Sequence, residues 1–152
     1  MKKPAYMLLC LAGVALFLTA AYAQFAKPED AIEYRKAVMT LIGHHFGRMA
    51  TVVKGQQPYV RADFSGDAEL VERLSKLPWE AFMIPGTAQG DTYLKPETLS
   101  EKSQFIEAGQ KFETEISKLV SAANGDNFGA TKDQFGEVAK SCQGCHRQFR
   151  AD

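Results

Sequence analysis

Two thiols three positions apart, with an imidazole directly after the second, lie near the C-terminus as Cys142-Gln143-Gly144-Cys145-His146. On a helix, positions i, i+3 and i+4 share one face. Both sulfurs and a ring nitrogen of His146 are then presented to the same side. A disulfide, a thioredoxin-like redox pair and half of a zinc site are the competing readings. A structural zinc ion needs four ligands, and the chain has no second cysteine pair to supply them. A redox CxxC belongs in a βαβ setting, for which the sequence has no pattern. CxxCH is otherwise the attachment pattern of c-type haem, with thioether links to both cysteines and a proximal histidine on the iron.

The first 23 residues are read apart from the rest. Met1-Lys2-Lys3 is basic, Ala5 to Ala20 is apolar, and Ala21-Tyr22-Ala23 is a small-residue cleavage site. This is the layout of a secretory signal peptide, cleaved before Gln24. The apolar run is short for a spanning helix, which needs about twenty apolar residues. Cleavage removes Cys10 and leaves Cys142 and Cys145 as the only cysteines. It also removes Lys2 and Lys3, so 18 basic residues become 16 against 18 acidic ones, a net charge of −2. No basic patch invites nucleic acid. An exported protein with two haem-spaced thiols is expected in a bacterial periplasm, with no membrane attachment after cleavage.

Residues 24–152 carry four helical stripes. Pro28-Glu29-Asp30 opens the first, since proline suits an initial turn and carboxylates complement the helix dipole there. Its apolar face runs Ile32, Met39, Ile42, Phe46, Met49, Val53, and Gly55 and Pro58 end it. A second is predicted over Val60 to Leu77, stopped by Pro78, and residues 78 to 96 form the one long connection. Pro96-Glu97 is predicted to open a third, with Phe105, Gly109, Phe112, Ile116, Leu119 and Ala123 on one face and Gly125 as its stop. Asp126-Asn127 caps the fourth, whose stripe is Phe128, Phe135, Val138, Cys142, Cys145 and Phe149. The thiols therefore continue a buried face. The expected fold is all-α, an antiparallel up-down-up-down four-helix bundle with covalent haem c in its core.

Polar residues interrupt the first stripe. Arg35 stands where a plain core helix carries an aliphatic side chain. An inward guanidinium calls for an anion, which haem propionates supply; the alternative is a stem that snorkels outward. His44 and His45 are at the edge of the same stripe and read as packed or solvated residues rather than as a second iron ligand.

Taken together, several segments resemble the cytochrome c′ family over essentially all of residues 24–152. They are Gln24 to Asp30, His45-Phe46-Gly47-Arg48-Met49, Val53-Lys54-Gly55-Gln56, Leu77-Pro78-Trp79 with Phe82, Gly86-Thr87, Gly90-Asp91, and CxxCH followed by Arg150. The resemblance implies one haem c per chain on Cys142 and Cys145, with His146 as the sole protein ligand of the iron. It implies that Arg150 sits against the proximal face, Arg35 meets a propionate, Lys36 stands near the haem edge, and Met39 covers the distal face. Phe82 and the loop around Asp91 would line the surroundings. It further implies a homodimer through the first two helices.

Met39 divides the functional readings. As a non-ligating lid it leaves five-coordinate iron in an apolar pocket. Such a site favours nitric oxide and carbon monoxide over O₂, because bound O₂ benefits from a donor and the stripe neighbours Val38, Ile42 and Phe82 offer none. The role is then gas binding, electron carriage or both, with an unidentified redox partner. As a ligand, the Met39 thioether gives low-spin six-coordinate iron and a plain electron carrier resembling cytochrome c-556. A haem peroxidase would need a distal acid–base group, and the sequence places none. The chain is expected not to be an enzyme.

Overall fold

The computed structural model describes residues 25–151; the expected signal peptide, Gln24 and Asp152 lie outside the described residues. Four long helices account for most of it: α1 (Pro28–Val53), α2 (Arg61–Leu74), α4 (Lys102–Ala123) and α5 (Phe128–Phe149). A one-turn helix, α3 (Trp79–Phe82), and a 3-10 turn (Pro96–Leu99) occupy the long connection between α2 and α4. Short links after α1 and after α4 force antiparallel neighbours, giving the up-down-up-down bundle. Among the described residues no helix is long and apolar enough to cross a membrane.

The helix boundaries follow local chemistry. Pro28 occupies the first turn of α1 beside Glu29 and Asp30. Gly55 follows its end with φ of 72°, a conformation glycine takes without a Cβ penalty. Asn127 caps α5, its side chain accepting the Ala130 N–H at 3.1 Å, which satisfies a donor the helix itself cannot. Two boundaries differ from expectation. The third long helix starts at Lys102, because Pro96-Glu97 opens the 3-10 turn and the chain re-enters helix only after it. The second is shorter than Val60 to Leu77: Val60 is its N-cap and Leu77 lies beyond its end, both exposed.

The core forms two clusters. The larger joins all four long helices through Val38, Ile42, Met49, Phe64, Val71, Phe112, Ile116, Leu119, Phe135 and Val138. Phe46 of α1 stacks on Phe135 of α5 with centroids 4.3 Å apart. Burying aliphatic or aromatic side chains of this size contributes roughly 1.5–3 kcal/mol each. The smaller cluster holds Ala88, Leu94, Phe105 and Phe149, with Trp79, Phe82, Met83 and Cys145 packed against it. It fastens the long connection to one end of the bundle, and there α1 and α5 face each other across a cleft.

Gly109 of α4 shows why this fastening is close. A Cβ there would approach three ring carbons of Trp79 at 3.2 Å. Gly109→Ala trades that crowding against a helix-propensity gain of about 1 kcal/mol and is expected to leave stability nearly unchanged. Gly109→Val adds bulk with no room for it, and chemical denaturation should register a loss of roughly 1–3 kcal/mol.

Candidate functional site

The cleft measures about 310 Å³ and is walled by α1, the long connection and the end of α5, a volume typical of small-molecule sites. From α1 come Arg35, Lys36, Met39 and Thr40, each a helical turn or less from the next. From α5 come Cys145, His146 and Phe149, with Arg150 just past its end. Trp79, Phe82, Thr92, Tyr93 and Leu94 of the connection, with Phe105 of α4, complete the wall. Aromatic contacts stiffen it: Phe105 packs at 5.0 Å from Phe82 and 5.2 Å from Phe149, centroid to centroid.

The two thiols are free and not joined to each other. Cys145 faces the cleft, whereas Cys142, one turn earlier, packs at the edge of the main core. Burial pushes both thiols up, Cys145 to about 11 with a further contribution from Cys142, so both stay neutral near pH 7. His146 is open to solvent on one side. On the cleft side its ring is desolvated, and that burial, with the nearby Arg150 charge second, holds it below the usual imidazole value. A neutral imidazole is the form that binds a metal.

Arg35 is 2% exposed, so the snorkelling alternative does not hold. Its Nη1 donates to the Ala81 carbonyl at 3.2 Å, and its Nη2 to the Thr87 carbonyl and to Thr92 Oγ1 at 2.7 Å. The guanidinium also lies 4.5 Å from the Phe82 ring centroid. Every one of these acceptors is neutral, and no carboxylate reaches Arg35 among the described residues. Desolvation by burial accordingly lowers its pKa from the usual guanidinium range to about 10. Such a cation on a cleft wall calls for an anionic ligand.

Other expected residues are placed less directly. Lys36 lines the cleft, and its Nζ binds Asp91 Oδ2 at 2.6 Å. Asp91 itself is not on the wall: its side chain is 92% exposed and meets the site only through Lys36. Arg150 stacks 5.1 Å from the Tyr93 ring centroid. Leu94 pairs with Arg150 as an antiparallel bridge, so the chain after His146 is strapped to the connection. His45 turns away from the cleft. Its Nδ1 donates to buried Asp67 at 2.8 Å, joining α1 to α2, and Arg48 Nε reaches the other Asp67 oxygen at 3.3 Å. Val38 and Ile42 belong to the main core, and the cleft-facing neighbours of Met39 are Arg35, Lys36 and Thr40. The surroundings of Met39 are therefore less uniformly apolar than the stripe suggested.

Thr92, Tyr93 and Leu94 were not singled out by sequence reasoning, since they lie in irregular chain without a period. Phe105 and Phe149 read as core, with nothing to mark them as walls.

Among the described residues no three His, Cys, Asp or Glu side chains converge to hold a bare ion. Two free thiols and a histidine on one helix face, an apolar cleft and an unpaired buried cation fit a porphyrin with carboxylate arms. A four-helix bundle with this site defines a c-type haem protein of the bundle class. A sequence model of the family described as Cytochrome C' matches residues 30–150. The cytochrome c' of Alcaligenes xylosoxydans xylosoxydans is 45% identical over 127 residues, covering 84% of this chain and 98% of that protein. Among solved structures, cytochrome c prime from Shewanella frigidimarina superposes with a TM-score of 0.82 at 37% identity, over 85% of this chain and 100% of that one. Variants of cytochrome c prime from Alcaligenes xylosoxidans superpose with a TM-score of 0.78 at 43% identity, over 85% of this chain and 100% of theirs. One of these is a nitric oxide complex and another has carbon monoxide bound. The chain belongs to the cytochrome c′ family, and its cofactor is haem c, covalently attached through the CxxCH of Cys142 and Cys145.

Replacing Arg35 with methionine keeps much of the stem but strips two buried carbonyls and Thr92 of their donor. An Arg35→Met variant should lose roughly 2–4 kcal/mol in denaturant unfolding. Unchanged stability would mean that these bonds do not hold the connection in place.

Proposed function

We propose that this chain is exported to the periplasm, its first 23 residues being removed. There it serves as a haem c protein whose iron takes His146 as its only protein ligand. The cleft carries this reading: His146 borders it from α5, and Met39 borders it from α1. When bound, the haem would supply an iron able to exchange one electron and to take a small gaseous ligand.

The residues of the chain set the conditions. Cys142 and Cys145 fix the group to α5, and Arg35 and Lys36 hold its carboxylates and the cleft edge. Phe82, Phe105 and Phe149 exclude water, and Arg150, held against Tyr93, keeps a positive charge beside His146. Met39 acts as a lid over the open side. Nitric oxide and carbon monoxide are the expected ligands, in keeping with the complexes of the Alcaligenes xylosoxidans variants. Electron carriage to an unidentified partner uses the same site. His45 is engaged by Asp67, and among the described residues the cleft lining holds no carboxylate and no histidine besides His146, so the protein is proposed to be a binder and carrier and not a catalyst. A homodimer through α1 and α2 accords with the exposed Leu41 on α1 and Val60 beside α2.

Met39 lines the same cleft, so ligation by its thioether is the competing reading. The visible spectrum of the reduced protein, before and after carbon monoxide, separates the two. The lid reading predicts a broad high-spin band that sharpens with the gas; split, sharp bands with little response would mean Met39 is bound to iron. In Met39→Ala, removing a steric barrier of one to two kcal/mol should speed carbon monoxide binding by about tenfold, with no change of spin state.

A further inference from the structure

Thr92 lines the cleft with its hydrogen bonding incomplete. Its Oγ1 accepts from Arg35 Nη2 at 2.7 Å and from the Leu94 N–H at 3.1 Å. A hydroxyl has two acceptor lone pairs and one donor hydrogen. Both lone pairs are therefore taken, and they fix how the group is turned. The hydrogen has no acceptor among the described residues, and Thr92 lines the cleft. Beside it stands the Arg35 guanidinium, which meets only neutral acceptors and retains N–H groups beyond those it donates to protein. A fixed hydroxyl donor next to an uncompensated cation is what a carboxylate oxygen requires.

We propose that Thr92 is a binding residue for the cofactor, its hydroxyl donating to one haem propionate beside Arg35. The inference rests on haem c occupying the cleft. Thr92 then has two tasks: it orients Arg35 by accepting from it, and it stabilises the ionised carboxylate by donating to it. Bonds to an ionised carboxylate favour its charged form, and losing one raises its pKa.

The holoprotein tests this through the pH dependence of its reduction potential. Loss of a proton from a propionate adds negative charge near the iron and favours the ferric state, so the potential falls as pH rises through that pKa. Thr92→Val removes the hydroxyl at nearly constant shape. It should move the falling step upward by about one pH unit, while Thr92→Ser leaves it at the parent position. Should Thr92→Val lose helical signal or haem content, Thr92→Cys, a weak donor of similar size, gives the same readout and the same upward shift. A parent protein carrying covalent haem, whose step does not move in Thr92→Val or Thr92→Cys, overturns the proposal and leaves the haem reading intact. A step that moves equally in Thr92→Ser also overturns it, because the hydroxyl would not be the cause. Absence of covalent haem from the parent would overturn the haem reading beneath it.

Discussion

Arg35, only 2% exposed and set beside neutral acceptors, makes the interaction on which the shape of the cleft depends. Arg35 projects from α1 and gathers the connection onto it through Ala81, Thr87 and Thr92, residues that follow it by 46, 52 and 57 positions. The exposed Lys36–Asp91 ion pair and the packing of Pro28 near Gly86 add to this fastening of the connection to α1. The desolvation of the Arg35 charge is a cost in the protein alone, since burying an unpaired cation is unfavourable. An anionic ligand at the same place offsets it. One residue thus couples the fold of the connection to the chemistry of what fills the cleft.

The two core clusters divide the labour of the bundle. The larger fixes the four long helices to each other, and the Phe46–Phe135 stack holds α1 against α5. Past that stack the two helices border a cavity and no longer pack directly, and the smaller cluster supplies its floor. The antiparallel bridge between Leu94 and Arg150 then straps the end of α5, so the helix that carries His146 is held on both sides of the cleft.

Much of this was legible in the sequence because its causes are periodic or covalent. The stripes of α1, α4 and α5 follow the helical period, and CxxCH announces its cofactor by spacing alone. Arg35 was legible as an anomaly, a charge where an aliphatic side chain belongs. What stayed hidden depends on tertiary contact. Pro96 marks a helical start equally well for a 3-10 turn and for an α-helix, and only packing decides how far the turn continues. His45 reads as ambiguous until Asp67, 22 residues on, is seen to take its Nδ1. Thr92 has no signal at all, because its role comes from Arg35 and Leu94 meeting at one oxygen. The cleft-facing neighbours of Met39 stayed hidden for the same reason. Helical neighbours of Met39 were counted along the stripe, whereas the cleft faces the side carrying Arg35, Lys36 and Thr40.

The central claim is that one porphyrin is tethered to α5 and enclosed by α1 and the connection. Mass spectrometry of the intact protein recovered from the periplasm tests it most directly. The account predicts a single species equal to the polypeptide from Gln24 to Asp152 plus one haem, reverting to the bare polypeptide when both Cys142 and Cys145 are replaced by alanine. A recovered protein at the unmodified polypeptide mass, with both thiols free to alkylate, would contradict it.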